Sequence, residues 1–249
     1  MNKPELKYLD QSITPFFTPN GRVTDDWQYI TTLNDNIASS GPEGRVGRTI
    51  HVKSVHVKGL LFPSVPLVNS DTSAFGLANV RGGPVRVAIV HDKHPNGMAP
   101  NAVDIWDYDP PDANSKAICA FRNLKFGKRF KILHNEVYYV GAPLGQLASQ
   151  YDNPDPIPNL DYVANPYFGA SDIAKCFDID IKLKGEGIET VFKSNNGGDT
   201  NVMSGGISLW VCGIWPSFTF NDVDYYPGPI LRGYCRIRFT DAENNYICC

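Results

Sequence analysis

No stretch of this 249-residue sequence strings together the roughly 20 apolar residues that a membrane-crossing helix requires. Its start, MNKPELKYLD, lacks the basic, apolar and small-residue succession of a secretory signal. A soluble chain made in the cytoplasm, with no membrane partner, is therefore expected. The six cysteines (Cys119, Cys176, Cys212, Cys235, Cys248 and Cys249) show no CxxC spacing and no histidines at zinc-ligand intervals. Free thiols are expected rather than a disulfide framework, and four of the six fall in apolar segments, where cysteine acts as a small buried hydrophobe. GxSxG, the phosphate-binding P-loop, the dinucleotide glycine fingerprint and HExxH are all missing. Nothing then argues for an enzyme, and no catalytic residue, metal ligand or cofactor is assigned.

Helical patterning is scarce as well. Only TDDWQYITTLNDNIASSG carries it, with Trp27, Ile30, Leu33 and Ile37 near helical spacing, Thr24 or Asp25 available as a cap and Gly41 beyond the end. One short helix is expected there. The 12 Tyr and 13 Phe favour strands, and the 22 Gly and 19 Pro are scattered as punctuation between short elements. VRVAIV (85–90) reads as an apolar strand broken by Arg86. In CFDIDIKLKG, Phe177, Ile179, Ile181 and Leu183 alternate with Asp178, Asp180, Lys182 and Lys184. GYCRIRFTD sets Cys235, Ile237 and Phe239 against Tyr234, Arg236 and Arg238, and the glycine-flanked GGISLWVCGIW reads as buried on both faces. RFKILHNEVYYV reads as two short strands about a turn at His134–Asn135.

Long connections at 63–84, 91–117, 141–175 and 193–204 join these strands, with no internal repeat and no break in composition. The expected architecture is one all-β domain of about eight antiparallel strands, a sandwich, jelly roll or barrel. Its core would span 45–241, after an extension with the short helix (1–44) and before a tail (242–249).

Two weak chemical candidates stand in loops. HDKH offers His91 and His94, with His134 or Glu136 as further donors, but the HxH…E…H spacing of a cupin metal site is not met. DIWDYDPPD gathers Asp104, Asp107, Asp109 and Asp112 without the spacing or closing Glu of a calcium-binding EF-hand loop.

Acidic residues are in slight excess, giving a net charge of −3. Against that background, nine of the 23 Lys and Arg collect in two windows. GRVGRTIHVKSVHVKG holds Arg45, Arg48, Lys53 and Lys58; FRNLKFGKRFK holds Arg122, Lys125, Lys128, Arg129 and Lys131. Within the first, Ile50 and Val52 share one strand parity while Val55, Val57 and Leu61 share the other. A bulge near Lys53–Ser54 would turn both sets inward and the cations outward. Such clustering draws a polyanion despite the negative total. With no RRM, KH or zinc-finger pattern, the contact would be phosphate-directed and blind to sequence. The bland reading of the same windows is a solvated strand face, or patches that pair with the acidic loops of a neighbouring subunit.

In order along the chain, PELKYLD, GRVGRTIHVKSVHVKG, VRVAIVHDKHPNG, DIWDYDPPDANSKAICAFRNLKFGKRFKIL, CFDIDIKLKG, GGISLWVCG and GYCRIRFTD resemble the single jelly-roll capsid proteins of circular, Rep-encoding single-stranded DNA (CRESS-DNA) viruses, including relatives of geminivirus coat proteins. The resemblance covers residues 4–241. It implies a homo-oligomer, sixty copies in the smallest shells, closing into an icosahedral container around sequence-independent single-stranded DNA. It further implies a virion location, with assembly in the host nucleus, and a first core strand directing Arg45, Arg48 and Lys53 at the genome. Lys128, Arg129 and Lys131 match the family's R-F-K segment. The basic arm usual in that family has no counterpart before the first strand-like segment. The aromatic- and Pro-rich segments 141–168 and 214–230 are the expected subunit contacts. A carbohydrate-binding jelly roll using the same aromatics is the alternative from another class.

Overall fold

The computed structural model describes residues 5–13, 26–36, 38–39, 41, 43–62, 83–108, 116–140, 174–196, 199–213, 218–220, 223–225 and 229–242. The strands, in chain order, are β1 (Lys7–Ile13), β2 (Gln28–Thr32), β3 (Thr49–Phe62), β4 (Gly83–Asp92), β5 (Trp106–Asp107), β6 (Phe121–Arg122), β7 (Phe130–Val140), β8 (Lys175–Lys182), β9 (Ile188–Phe192), β10 (Val202–Ser204), β11 (Gly206–Gly213), β12 (Phe218–Phe220), β13 (Val223–Tyr225) and β14 (Ile230–Asp241). Among the described residues one α-helix occurs, the single turn α1 (Ala102–Ile105).

Period-2 alternation decides where β3, β8 and β14 lie. Val55, Val57 and Leu61 of β3, Phe177 and Ile179 of β8, and Cys235, Ile237 and Phe239 of β14 are all buried. Their odd-numbered stripes form one wall of the core. β14 pairs with β3 and β1, and β3 also pairs with β8 along its second half and with β9 along its first. This makes a six-stranded antiparallel sheet. The second sheet runs β2-β11-β4-β7, and its inward residues Ile30, Val85, Val87, Ile89, Ile207, Leu209 and Val211 meet the first wall.

Eight strands carry this frame, and their order is diagnostic. The first strand (β1) neighbours the last (β14), β2 neighbours the next-to-last (β11), and β4 and β7 lie side by side. β3, the third of the eight, neighbours both β8 and β14. A hairpin rolled around a core in this way is a jelly roll. The all-β jelly-roll sandwich expected from the sequence is thus the fold.

Several finer expectations are corrected. The segment expected to be helical contains β2, which pairs antiparallel with β11. Trp27 and Tyr29 point to one side of the sheet and Ile30 to the other, and both sides are covered, so apolar residues recur off the strict alternation of a half-exposed strand. Ile37 lies outside the described residues. Because β1 and β2 belong to the two sheets, residues before 45 are part of the sandwich and not an extension. The segment 45–58 leads into the third frame strand rather than the first. RFKILHNEVYYV is one continuous strand, β7, with a register shift opposite Ile89–Val90 where a turn was expected. The polar trio His134–Glu136 is tolerated because β7 is an edge strand. The bulge in β3 is where the parity slip put it: Arg238 faces Ser54 and Phe239 faces Val52, leaving Lys53 as the extra residue.

The side of the four-stranded sheet turned away from the first core is sealed by the connection between β4 and β7. A second cluster forms there from Trp27, Ala88, Val90, Ile105, Trp106, Phe130, Trp210 and their neighbours. Trp27 and Trp106 stack with centroids 4.2 Å apart. Arg86, which interrupts the apolar run of β4, lies over both indoles at 5.3 and 4.9 Å and donates to the carbonyls of Ile118 and Ala120. It rivets the cover to the sheet. No comparable layer lies on the outer side of the six-stranded sheet among the described residues: β14, β3, β8 and β1 expose Tyr234, Arg236, Lys58, Asp178 and Tyr8 there.

Candidate nucleic-acid interface

The two basic windows separate into cations that hold the subunit together and cations that face solvent. Arg45 has no exposed surface. Its Nε donates to Asn36 O at 2.9 Å, its terminal nitrogens donate to the carbonyls of Gly47, Ser194 and Asn196, and its guanidinium lies 4.0 Å from the Phe192 ring centre. It ties the segment before β3 to the one after β9. Expected as a DNA contact, Arg45 is instead an internal clamp, because four carbonyls from two loops converge where its side chain ends.

Arg122 donates to the carbonyls of Gly127 and Phe130, closing the tight turn that leads into β7. Arg129 grips the buried Asp92 with both arms, Nε to Oδ1 at 2.9 Å and Nη2 to Oδ2 at 2.8 Å. That carboxylate first, and the opposing cost of burial second, leave the Arg129 guanidinium even harder to deprotonate than usual. Arg122 and Arg129 are therefore engaged within the subunit, contrary to a direct role on DNA. Lys53 donates to Glu186 O at 2.7 Å, and Lys58 pairs with Asp178 at 3.1 Å in an exposed setting.

Arg48, Lys125, Lys128 and Lys131 remain exposed. Lys125 and Lys128 lie in the 122–130 turn and Lys131 just after it, and the fold adds residues that the sequence windows did not include. Lys93 N donates to Arg129 O at 3.1 Å, and His91 faces Lys131 across the β4–β7 ladder. The HDKH motif and the second basic window thus form one positive end of the sheet. His91 is pushed down to about 4, first by burial and then by Lys93, with Lys131 and His94 acting in the same direction and only Asp92 opposing. Cations crowding His91 are the reverse of what a divalent metal needs, so this end suits an anion. Of the acidic quartet, Asp104 lies in α1 with its charge felt by Arg129, Asp107 is exposed in β5, and Asp109 and Asp112 lie outside the described residues.

The residues that sequence windows missed are on β14. Arg232, Tyr234, Arg236 and Arg238 all project from the uncovered face of the six-stranded sheet. Their signal was the alternation of GYCRIRFTD, which assigns the arginines to one side; a window that counts charge without parity passes over them. Arg236 makes a two-pronged pair with Asp10, 2.7 and 2.6 Å, and lies 5.2 Å from the Tyr8 ring centre. The Arg236 hydrogen bond is the main cause that holds the Asp10 carboxyl below its ordinary value.

Among the cysteines, Cys212 and Cys235 are buried free thiols and Cys119 and Cys176 are exposed, while Cys248 and Cys249 lie outside the described residues. Burial pushes Cys235 up to about 12, which keeps it an unreactive thiol. The segments expected to form subunit contacts, 141–168 and 214–230, also lie outside the described residues, except for the β12–β13 hairpin and the start of β14.

No family model matches the chain, and no curated protein matches it. Solved structures that overlay on it include the VP1 protein of Trichodysplasia spinulosa-associated polyomavirus in complex with GM1 oligosaccharide. That overlay has 13% identity, 94% of each chain covered and a TM-score of 0.24. Merkel cell polyomavirus VP1 in complex with 3'-sialyllactosamine overlays with 10% identity, 96% of each chain covered and a TM-score of 0.21. At these scores the overlays add nothing to the topology read from the strands themselves.

Proposed function

We propose that the chain is the subunit of a viral shell, many copies of which close around single-stranded DNA bound through its phosphates. The observation that carries this reading is the two-sidedness of the sandwich. One sheet is sealed under an apolar, tryptophan-riveted cover, and the other has no such cover among the described residues and exposes charged side chains. A container needs that difference between its two surfaces. The resemblance of seven segments, in order, to single jelly-roll capsid proteins supports the same reading, as does the positive end built from Lys93, Lys125, Lys128 and Lys131. On this reading the protein is a homo-oligomer located in the virion, assembled in the host nucleus, with no membrane partner and no catalytic role.

A glycan-binding module is favoured by one feature, a groove of about 400 Å³ between edge strands β7 and β8. It is lined by Glu136, Tyr138, Tyr139 and Asp178, and Tyr139 is 73% exposed. Sedimentation of the purified chain separates the two. Shell formation gives particles many times heavier than one subunit with absorbance at 260 nm from enclosed nucleic acid. A species that stays a single chain and binds sialylated or neutral glycans on an array contradicts the shell.

A further inference from the structure

The bare side of the six-stranded sheet is a built surface rather than a leftover one. Along β14, Arg232, Tyr234, Arg236 and Arg238 point the same way, each two residues from the next. That spacing is about 7 Å along a strand, close to the step between successive phosphates of an extended single strand. Lys58 on β3 faces Tyr234, and Tyr8 on β1 faces Arg238. Tyr234 is 72% exposed, in the middle of the cationic column. Across strands β1, β14, β3 and β8, five cations (Arg232, Arg236, Arg238, Lys58 and Lys182) stand against three carboxylates (Asp10, Asp178 and Asp180) in a protein whose total charge is −3. Each of those carboxylates stands beside a cation, Asp10 by Arg236, Asp178 by Lys58 and Asp180 3.9 Å from Lys182, so Arg232 and Arg238 carry the excess of positive charge. Asp10 holds Arg236 beside the Tyr8 ring, and Asp178 accepts from His56 at 2.6 Å and pairs with Lys58 at 3.1 Å.

We infer that this face is the surface on which single-stranded DNA lies, with Arg232 and Arg238 on phosphates and Tyr234 stacked under an unpaired base. The inference rests on the shell reading for its biological setting and deepens it, moving the principal contact from the 45–53 segment to β14. Single strands fit better than duplex because a flat tyrosine ring rewards an accessible base, whereas a paired base offers it no face.

The test is fluorescence anisotropy of the intact protein with a fluorescein-labelled 30-nucleotide oligothymidine, titrated at several salt concentrations. Arg232→Gln combined with Arg238→Gln is expected to weaken binding tenfold or more. It should also flatten the slope of log K against log salt by roughly 1.4, about 0.7 per lost phosphate contact. Tyr234→Ala is expected to cost about fivefold or more and Tyr234→Phe to restore it, since the ring and not the hydroxyl stacks. Asp180→Asn is expected to tighten binding, a gain that misfolding cannot mimic. Wild-type affinity in both the arginine and Tyr234→Ala variants overturns the inference. So does equal dependence of a 30-bp duplex on Tyr234, or a change in sedimentation with oligothymidine affinity intact, which would make the face a contact between copies. If Lys125, Lys128 and Lys131 changed to Gln abolish binding while the β14 variants do not, the contact is the positive end and the face proposal falls, with the shell untouched. Binding through β14 by a protein that never assembles keeps the face and removes the shell.

Discussion

At the scale of single residues, arginines three positions apart have opposite jobs. Arg45 is buried against four backbone carbonyls and Arg48 is exposed. Removing a buried, fully engaged charge strands its partners. Arg45→Ala is therefore expected to cost about 3–5 kcal/mol of stability, measured by urea unfolding, whereas Arg48→Gln should stay within about 0.5 kcal/mol. An Arg45→Ala variant as stable as wild type would contradict the clamp. The sequence could not separate the two, because the carbonyls of Ser194 and Asn196 come from a segment remote in the chain. What was legible at this scale was parity: the outward Tyr234, Arg236 and Arg238 are where alternation put them.

His91 offers a pH-dependent counterpart. Burial first, then neighbouring Lys93, hold it down to about 4, below the value of an unfolded histidine near 6.5. A depressed group contributes its full stability above the unfolded value. As pH falls from about 6.5 towards 4, the unfolded chain takes up a proton that the folded one refuses, and stability drops. The loss is on the order of 1–3 kcal/mol after allowing for the partial exposure of the ring. His91→Gln should remove this term, so its urea midpoint is expected to fall less than that of wild type between pH 7 and pH 4.5. Parallel curves for the two proteins would show that His91 does not titrate in this way.

At the scale of elements, β3 was the most legible strand, since its parity slip announced the bulge that the ladder shows at Lys53. β2 was the least, because Trp27 and Tyr29 pack into one cluster while Ile30 packs into the other, hiding the strand's period. The same pairing of β3 with its neighbours contains a steric lock that hydropathy does not register. A Cβ placed on Gly59 would come within 2.0 Å of the Phe177 ring, which crosses that glycine and tilts against Tyr138 of the opposite sheet, centroids 5.4 Å apart. Phe177 thus closes the β7–β8 edge of the sandwich by filling space that only glycine leaves open. Gly59→Ala is expected to destabilise by about 1–3 kcal/mol through overpacking, and Phe177→Leu in the same chain should recover part of it. Strictly additive losses in a double-mutant cycle would contradict a shared contact.

At the scale of the whole molecule, strand order makes the jelly roll, the Arg86-riveted cover seals one sheet, and the other sheet presents a charged plane among the described residues. The long connection 91–117 looked structureless in sequence because its apolar residues, Ile105, Trp106 and Ala117 among them, serve a second core that exists only once β4 and β11 are paired. The strength of the proposed interface should likewise depend on assembly, since many weakly positive faces lining one cavity act together where a lone face is screened by salt.

Sedimentation velocity of the purified chain mixed with circular single-stranded DNA, recorded at 260 and 280 nm, tests the central claim most directly. The expected result is a fast boundary absorbing at both wavelengths, in which protein and DNA move together as closed particles, and which loses its DNA when Arg232 and Arg238 are replaced by Gln. A slow boundary of single chains beside unbound DNA, at protein concentrations well above those of the binding titrations, would contradict it.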